Sequence, residues 1–487
     1  MRIEGAGETP ALRPASRLAR ARPLLCRCVP AAAMLCFLAW CFVSVRSDFS
    51  WDDAEPEILN QAWRLAKGES IYRGIDTPPF TFAAYPPLYF GLTAVLLKFT
   101  GLSFLPARLI SFLAALFIGW ALVCLNREWN KNARGGIWAA FFLFLIPAFL
   151  YNSTRAHVQM LAVAFSIWSL VFFLRNRWKE TLIISPLLAV LAFYTKQTQV
   201  ALPLAMAIYL ALRNRRWLIP YSATIAVAGL VPFLWLQKIT GGYFFLDTVR
   251  LADLSYSVFQ IPQIFIHHAG PVLIFMGLAF LASWKRFRDG TWEPVDCYLG
   301  CVLAITLVSL GRVGAHGQYV LELLVVVLLY LLRTTGLPAI RGRDALVSIQ
   351  IIMLFCYAPL FIFVEEGLWD IPANTAATKI YPLLRAQPGP ILSQQGSFAL
   401  FGHGEIYIQL FHFTALSRAG LWDQNRLLKE IDQRTFLLVI TEFPIEQPAT
   451  SENAHERFTP EMVEALRKNY RSVEVVYPYY LYSPRAQ

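Results

Sequence analysis

The sequence predicts an α-helical polytopic membrane protein. About eleven transmembrane helices are expected, with two further juxtamembrane helices in the first outer loop and a small C-terminal α/β domain outside the bilayer. Three observations predict this. Of 487 residues, 56% are hydrophobic and 15% charged, against roughly 45–50% and 25% for soluble domains. Apolar runs of spanning or near-spanning length recur along the chain. Short basic clusters separate them, so the net charge of +11 has the distribution that the positive-inside bias produces. Nucleic acid is therefore excluded as a partner, and membrane lipid is the expected surround.

The basic N-terminus, residues 1–28, carries Arg13, Arg17, Arg20, Arg22 and Arg27 ahead of "VPAAAMLCFLAWCFVSV". No small-residue cleavage site precedes "SVRSDFSWDD", so this run reads as an uncleaved first helix. Further apolar segments lie at 106–125, 135–151, 156–174, 181–195, 198–212, 217–236, 270–284, 296–311, 318–332 and 345–363. The run "LYFGLTAVLLKFT" at 88–100 holds Lys98 and is shorter than the roughly 17–25 residues a span needs. If it stays on the outer surface, the clusters "NREWNKNAR", "RNRWKE", "RNRR", "KRFRD" and "RTTGLPAIRGR" all fall on the side of the N-terminus. If it crosses, they fall outside, against the bias. The expected topology thus has a cytoplasmic N-terminus, a transmembrane domain over 29–364 with its first outer loop at 46–105, and an outer domain over 365–487. The eight cysteines sit in or beside apolar segments without disulfide or metal-site spacing.

In the tail, strand-like "PILS", "FLLVIT" and "VEVVYPYYLY" alternate with helix-like "WDQNRLLKEI" and "TPEMVEALRKNY". Thr459 is the natural N-cap of the last helix and Pro460 its first residue.

Two groups of charges stand out on the outer side. The first loop holds Asp52, Asp53 and Glu55 immediately before or at the start of a segment with helical apolar spacing, Ile58, Leu59, Ala62, Leu65 and Ala66, which Gly68 closes. Helix capping alone accounts for one or two such acids, at about 0.3–1 kcal/mol each; three suggest chemistry as well. Arg108, Arg155, Lys196 and Arg312 lie at outer helix ends, where the charge bias disfavours them. Each taken singly reads equally as a snorkelling side chain. Together they form a plausible seat for an anionic lipid head group: one cation about 4 Å from a phosphate contributes roughly 4 kcal/mol at an effective dielectric near 20, about three decades in rate if it acts on the leaving group. The aromatic loop at 241–260, with Asp247, Arg250 and Asp253, is expected to lie at the interface near this mouth.

The order of these features resembles the C-type glycosyltransferase superfamily. The resemblance runs through the acidic pair Asp52 and Glu55, "AWRLAKGESIY", "YPPLYFGLTAVLLKFTG", "PARLISFL", "TRAHVQMLAVAF", "YTKQTQVALP" and "GRVGAHGQYVLEL". It is nearest to the bacterial branch related to protein O-mannosyltransferases and aminoarabinose transferases. It implies a multi-pass protein of the bacterial inner membrane that takes a hexose or pentose from a polyprenyl-phosphate-linked donor and passes it to a lipid, glycan or protein acceptor on the outer face. It further implies that Asp52 is the catalytic acid of the first loop, with Glu55 and Asp53 beside it. Lys196 and Arg155 would then lie near the lipid phosphate, with Arg108 and Arg312 completing the basic mouth. In a departure from the family pattern, His157 stands where relatives often place an aspartate; an imidazole cannot replace a metal-bound carboxylate without changing the charge, so no metal and no other cofactor is expected, and the imidazole is a candidate proton acceptor or acceptor ligand. Gln197, Tyr85, Tyr319 and Glu322 are the remaining polar candidates around the same breaks.

The expected reaction is an inverting single displacement, with a carboxylate as base and phosphate as leaving group. Two other readings compete: a lipid or solute transporter, disfavoured by the scarcity of charge inside the helices, and a non-catalytic glycolipid-binding descendant of the fold.

Overall fold

The computed structural model describes residues 35, 38–47, 49–252, 256–332, 343–361, 368–385, 389–447 and 452–486. The basic N-terminus, Asp253 and the expected boundary at 365 lie outside them. A helix occupies each expected apolar segment from 106–125 onward, and the described part of the first segment is helical over 38–46. Three of the described helices are long and apolar enough to cross a bilayer alone: Leu105–Asn130, Arg215–Ile239 and Gln260–Arg288. The last of these is joined through a single 3₁₀ turn at Gly270–Val272.

One expected span is not straight. Over 135–151 the chain forms Arg134–Leu145 and Pro147–Ser153, bent by 82°. Pro147 has no N–H to continue the ladder and forces Ile146 out of helical geometry (ψ 119°). The bend turns a spanning run into a helix that stops short and a second piece, bearing Tyr151 and Asn152, aimed at the first outer loop.

Helix Leu321–Leu332 is the pivot of the transmembrane bundle: Leu321 and every residue from Leu323 to Leu329 are fully buried, the signature of a helix apolar on all sides and surrounded by others. In the first outer loop, Ala54–Ala66 forms the expected helix and Gly68, at φ +83°, ends it. Its Ile58 and Leu59 are buried, each contributing about 1.5–3 kcal/mol. They pack with Tyr89, Phe90 and Leu97 of the second surface helix, Pro87–Thr100. With 14 residues that helix is about 21 Å long, short of a roughly 30 Å hydrocarbon core. It exposes Leu92, Val95, Leu96 and Phe99, as a helix lying at the interface would.

The tail folds around a four-stranded sheet of order β1–β2–β4–β3, with β1 Ile391–Ser393, β2 Leu438–Thr441, β3 Tyr470–Val476 and β4 Tyr479–Pro484. β1 and β2 are parallel, and the other two pairings are antiparallel. The expected single strand "VEVVYPYYLY" is instead the hairpin β3–β4, turning at Tyr477–Pro478, because proline cannot donate to a central ladder. The helices expected over Asn425–Asp432 and Pro460–Asn469 are present. Thr459 caps the second, its hydroxyl accepting from Met462 N–H at 3.2 Å.

The tail is knit to the first outer loop. Phe80 pairs its backbone with the chain at Ile408, Gln409 accepts from Phe82 N–H at 3.0 Å, and Asn60 accepts from Ile406 N–H at 3.1 Å. Ile75, Phe80 and Phe82 enter the tail's apolar core beside Phe413 and Trp422.

Candidate active site

Four acids of the first loop, Asp52, Asp53, Glu55 and Glu57, take four different partners. Asp52 splits its carboxylate between two tasks. Oδ1 accepts from the N–H groups of Ala54 and Glu55 at 3.0 and 2.9 Å, capping the helix. Oδ2 accepts from the Tyr151 hydroxyl at 2.8 Å and lies 3.0 Å from His157 Nε2. The other ring nitrogen, Nδ1, is 3.2 Å from Asn152 Oδ1, while the Asn152 amide donates to Ala148 O. Burial raises the Asp52 carboxyl, but His157, Arg155 and the Tyr151 hydroxyl outweigh it and hold the group well below the usual carboxylate range. The carboxylate is thus fixed in place, ionised, with its side chain 22% exposed.

Asp53 pairs with Arg457 of the tail. Glu57 Oε2 is 3.2 Å from His412 Nδ1, also of the tail. Glu55 points the other way. Its carboxylate grips Arg108 through Nε and Nη2 at 2.8 and 2.7 Å, accepts from the N–H groups of Trp51 and Ala156 at 2.9 and 2.7 Å, and is completely buried with its partner.

A cavity of about 370 Å³ opens where these elements meet, within the usual range for ligand sites. Asp52, Asp53, His157, Lys196, Arg312, Gln197, Tyr85 and Tyr319 all line it, so the structure brings together eight of the expected residues. Four others lie elsewhere. Glu55 and Arg108 neutralise one another in the core and have no donor or acceptor left for a substrate. Arg155 is fully buried between the rings of Trp51 and Tyr151, 4.7 and 4.2 Å from their centroids, and reaches the cavity only through its field on Asp52. Glu322 accepts from the Tyr298 hydroxyl inside the bundle. In the covering loop, Asp247 is buried and accepts from Arg73 N–H at 3.2 Å, so of that loop's described part it is Ala252 that lines the cavity.

Lys196 occupies the break between helices Ser185–Thr195 and Ala201–Arg213. It is 1% exposed, and its ammonium has no hydrogen-bond partner among the described residues. The Tyr319 ring lies 3.9 Å away and the Tyr85 ring 5.8 Å. Gln197 holds the break, donating to Ala84 O and Thr248 O at 2.9 and 2.8 Å. A buried cation without a hydrogen-bond partner is costly, and an anion entering the cavity would offset that cost.

Sequence reasoning missed Tyr151, Asn152, Glu57, His412 and Arg457. A proline within the run "FLIPAFL" signalled the bend that delivers the first two; nothing local signals that His412 and Arg457 arrive from more than 350 residues along the chain.

Residues 84–236 match the family described as dolichyl-phosphate-mannose-protein mannosyltransferase. Over nearly its whole length the chain is similar in fold to ArnT from Cupriavidus metallidurans, solved bound to undecaprenyl phosphate: TM-score 0.65 at 14% identity, covering 94% of this chain and 98% of that one. It is also similar to the archaeal oligosaccharyltransferase AglB from Archaeoglobus fulgidus, solved with an inhibitory peptide and a dolichol-phosphate: TM-score 0.53 at 12% identity, covering 90% of this chain and 72% of that one. No curated protein matches the chain. The chain has the polytopic membrane fold of the C-type glycosyltransferase superfamily, as the sequence resemblance implied.

Proposed function

We propose that this protein is a membrane glycosyltransferase that moves a sugar from a polyprenyl-phosphate donor to an acceptor hydroxyl at the outer face of the bacterial inner membrane. One observation carries the reading: a buried ammonium without a hydrogen-bond partner among the described residues, Lys196, lines the same cavity as an ionised, rigidly held carboxylate, Asp52. The first suits a lipid phosphate and the second an acceptor hydroxyl, and their coexistence in a protein of this fold supports transfer between the two. The similar structures of ArnT and AglB hold undecaprenyl phosphate and dolichol-phosphate respectively, which agrees with a lipid-linked donor here.

In the proposed step the acceptor oxygen forms a bond to the anomeric carbon. The bond from that carbon to the phosphate oxygen breaks, its electron pair leaves with the polyprenyl phosphate, and the hydroxyl proton passes to Asp52. A carboxylate with a depressed pKa is a weak base, which fits a late proton transfer: an oxocarbenium-like centre acidifies the attacking hydroxyl before the proton moves. Tyr151 and His157 orient Asp52. Lys196 and Arg312 stabilise charge developing on the phosphate, and Tyr85, Tyr319 and Gln197 shape its pocket. Among the described residues, no three His, Cys, Asp or Glu side chains converge as metal ligands, and no step is routed through a metal.

The test is incubation of purified protein with a panel of polyprenyl-phosphate sugars, following release of the free lipid phosphate. Asp52→Asn, which keeps the helix cap through its amide oxygen, should fold normally and lose transfer. Undiminished turnover by that variant would remove Asp52 from the mechanism; absence of release from every donor would remove the function.

A further inference from the structure

A second cavity, of about 630 Å³, shares no lining residue with the candidate active site. Three helices run between the two. Ala201–Arg213 begins just after Thr198 of the first cavity and reaches the second at Ile208 and Leu212; Gln260–Arg288 passes from His268 to Phe287; Pro294–Leu310 leads from Cys297 and Gly300 towards Arg312. The second cavity therefore sits at the far end of these helices, where the basic segments 213–216 and 285–288 lie. Its lining includes Leu212, Trp284, Phe287 and Trp292, and the first three are more than 60% exposed, so it is a groove open at the surface of the bundle. Among the described residues that line it the one acid is Asp296, and that carboxylate is engaged: it accepts from the Tyr330 hydroxyl at 2.7 Å and the Glu293 N–H at 2.8 Å, and pairs with Arg286 at 3.1 Å.

The rim has the opposite character. Arg213 lies over the Trp292 ring, 4.4 Å from its centroid, donates to Gly290 O, and is near enough to Cys297 of the wall for its charge to be felt there. Arg288 follows Leu281 and Trp284 by seven and four residues, which puts it on their helix face; its side chain is 71% exposed, with Asp289 3.6 Å away. Asp289 and Asp296 thus have their arginines, and Glu293 caps helix Pro294–Leu310. Arg213, Arg215, Arg216 and Lys285 form no ion pair among the described residues. We infer that the groove binds an anionic glycerophospholipid, with one acyl chain lying over Gly300 between the aromatic walls and the phosphate at Arg213 and Arg288. In a bilayer the apolar lining alone selects nothing, because lipid tails are as apolar as the side chains they touch. Selection comes from the rim, where cations beside a cleft between helices favour an anionic head group over a zwitterionic one, and guanidinium groups suit phosphate oxygens. Gly300 supplies the space: a Cβ there would meet nothing within 4 Å, so the groove continues over the helix backbone, and a larger side chain would fill it without strain. The inference is independent of glycosyl transfer.

The experiment uses the full chain, purified in detergent and stripped of lipid, and titrates it with palmitoyl-oleoyl phosphatidylglycerol or phosphatidylcholine under native mass spectrometry. The first phosphatidylglycerol should bind about tenfold more tightly than the first phosphatidylcholine. Gly300→Leu should weaken that first adduct about fivefold or more by filling the groove, with the lipid-free melting temperature unchanged. Arg213→Gln combined with Arg288→Gln should bring the two lipids to within about twofold of each other. If Gly300→Leu does not fold, the double arginine variant decides alone. Equal affinity of the two lipids in the wild type overturns the inference, and so does a preference for phosphatidylglycerol that Gly300→Leu leaves in place, which would mark attraction to the basic surface at large. A two-chain species that Gly300→Leu dissociates would make the groove an interface between copies. Displacement of phosphatidylglycerol by a lower concentration of undecaprenyl phosphate would give the groove to the donor lipid; either result overturns the inference.

Discussion

Lys196→Met separates a ligand-binding role from a packing role, because the two predict stability changes of opposite sign. Methionine matches the lysine stem in length and flexibility and removes the charge. In the empty protein the ammonium is 1% exposed and without a hydrogen-bond partner among the described residues. An ion so placed carries an effective desolvation penalty of several kcal/mol. Its compensation is the Tyr319 ring at 3.9 Å, worth up to about 2 kcal/mol when desolvated, and the field of the Glu322 carboxyl in the bundle, which together fall short of that penalty. Deleting the charge should therefore stabilise the unliganded protein by about 1 kcal/mol or more. With a lipid phosphate bound, an oxygen about 4 Å from the ammonium contributes roughly 4 kcal/mol at an effective dielectric near 20, so the same substitution should cost about three decades in kcat/KM for the donor. Two assays suffice: thermal melting in detergent without ligand, and donor kinetics by lipid phosphate release. A variant that melts lower than wild type and loses activity in proportion would show that Lys196 supports packing. One that keeps donor kinetics within a few-fold would show that the phosphate binds elsewhere.

Glu55→Gln should destabilise the protein by about 3–5 kcal/mol, since it strands the fully buried Arg108; a lowered melting temperature checks this, and a stable but inactive variant would return Glu55 to the site. His157→Gln should move the acid limb of kcat upward, because the imidazole is the largest influence opposing burial at Asp52; the wild-type limb should lie below the ordinary carboxylate range, and an unmoved limb would mean that another group titrates. Asp247, raised by burial from 3.8 to about 8 despite the Arg73 N–H bond and charge, is protonated in the folded protein and ionised in the unfolded chain between those values. Its contribution to stability is thus fully present below about 4 and lost as pH rises through about 8. Asp247→Asn should flatten that slope in melting curves taken across pH 4–8, and an unchanged slope would show that Asp247 is ionised throughout.

What was legible in the sequence follows from the range of each interaction. The surface helices, their closing glycine, the Thr459 cap and the apolar segments depend on neighbours a few residues apart, and each lies where its local pattern places it. The charge bias singles out Arg108, Arg155, Lys196 and Arg312 as a set, but it concerns the side of the membrane and says nothing about partners. Arg108 meets Glu55 across 53 residues and is buried away from the cavity, whereas Lys196 meets no hydrogen-bonding group among the described residues and lines the cavity. The same limit governs the acids: Asp52, Asp53, Glu55 and Glu57 share one short stretch, and only their long-range partners, His157, Arg457, Arg108 and His412, divide them into a carboxylate lining the cavity, a core ion pair and two pairs facing the tail. Helix capping and the proposed catalysis, opposed as readings of Asp52 when only the sequence is considered, are served by one arrangement. The two backbone N–H groups on Oδ1 immobilise the carboxylate, and immobilisation is what leaves Oδ2 aimed at the cavity with Tyr151 and His157 on either side. A flexible carboxylate would spend conformational entropy at each turnover to reach that position; here folding has already fixed it.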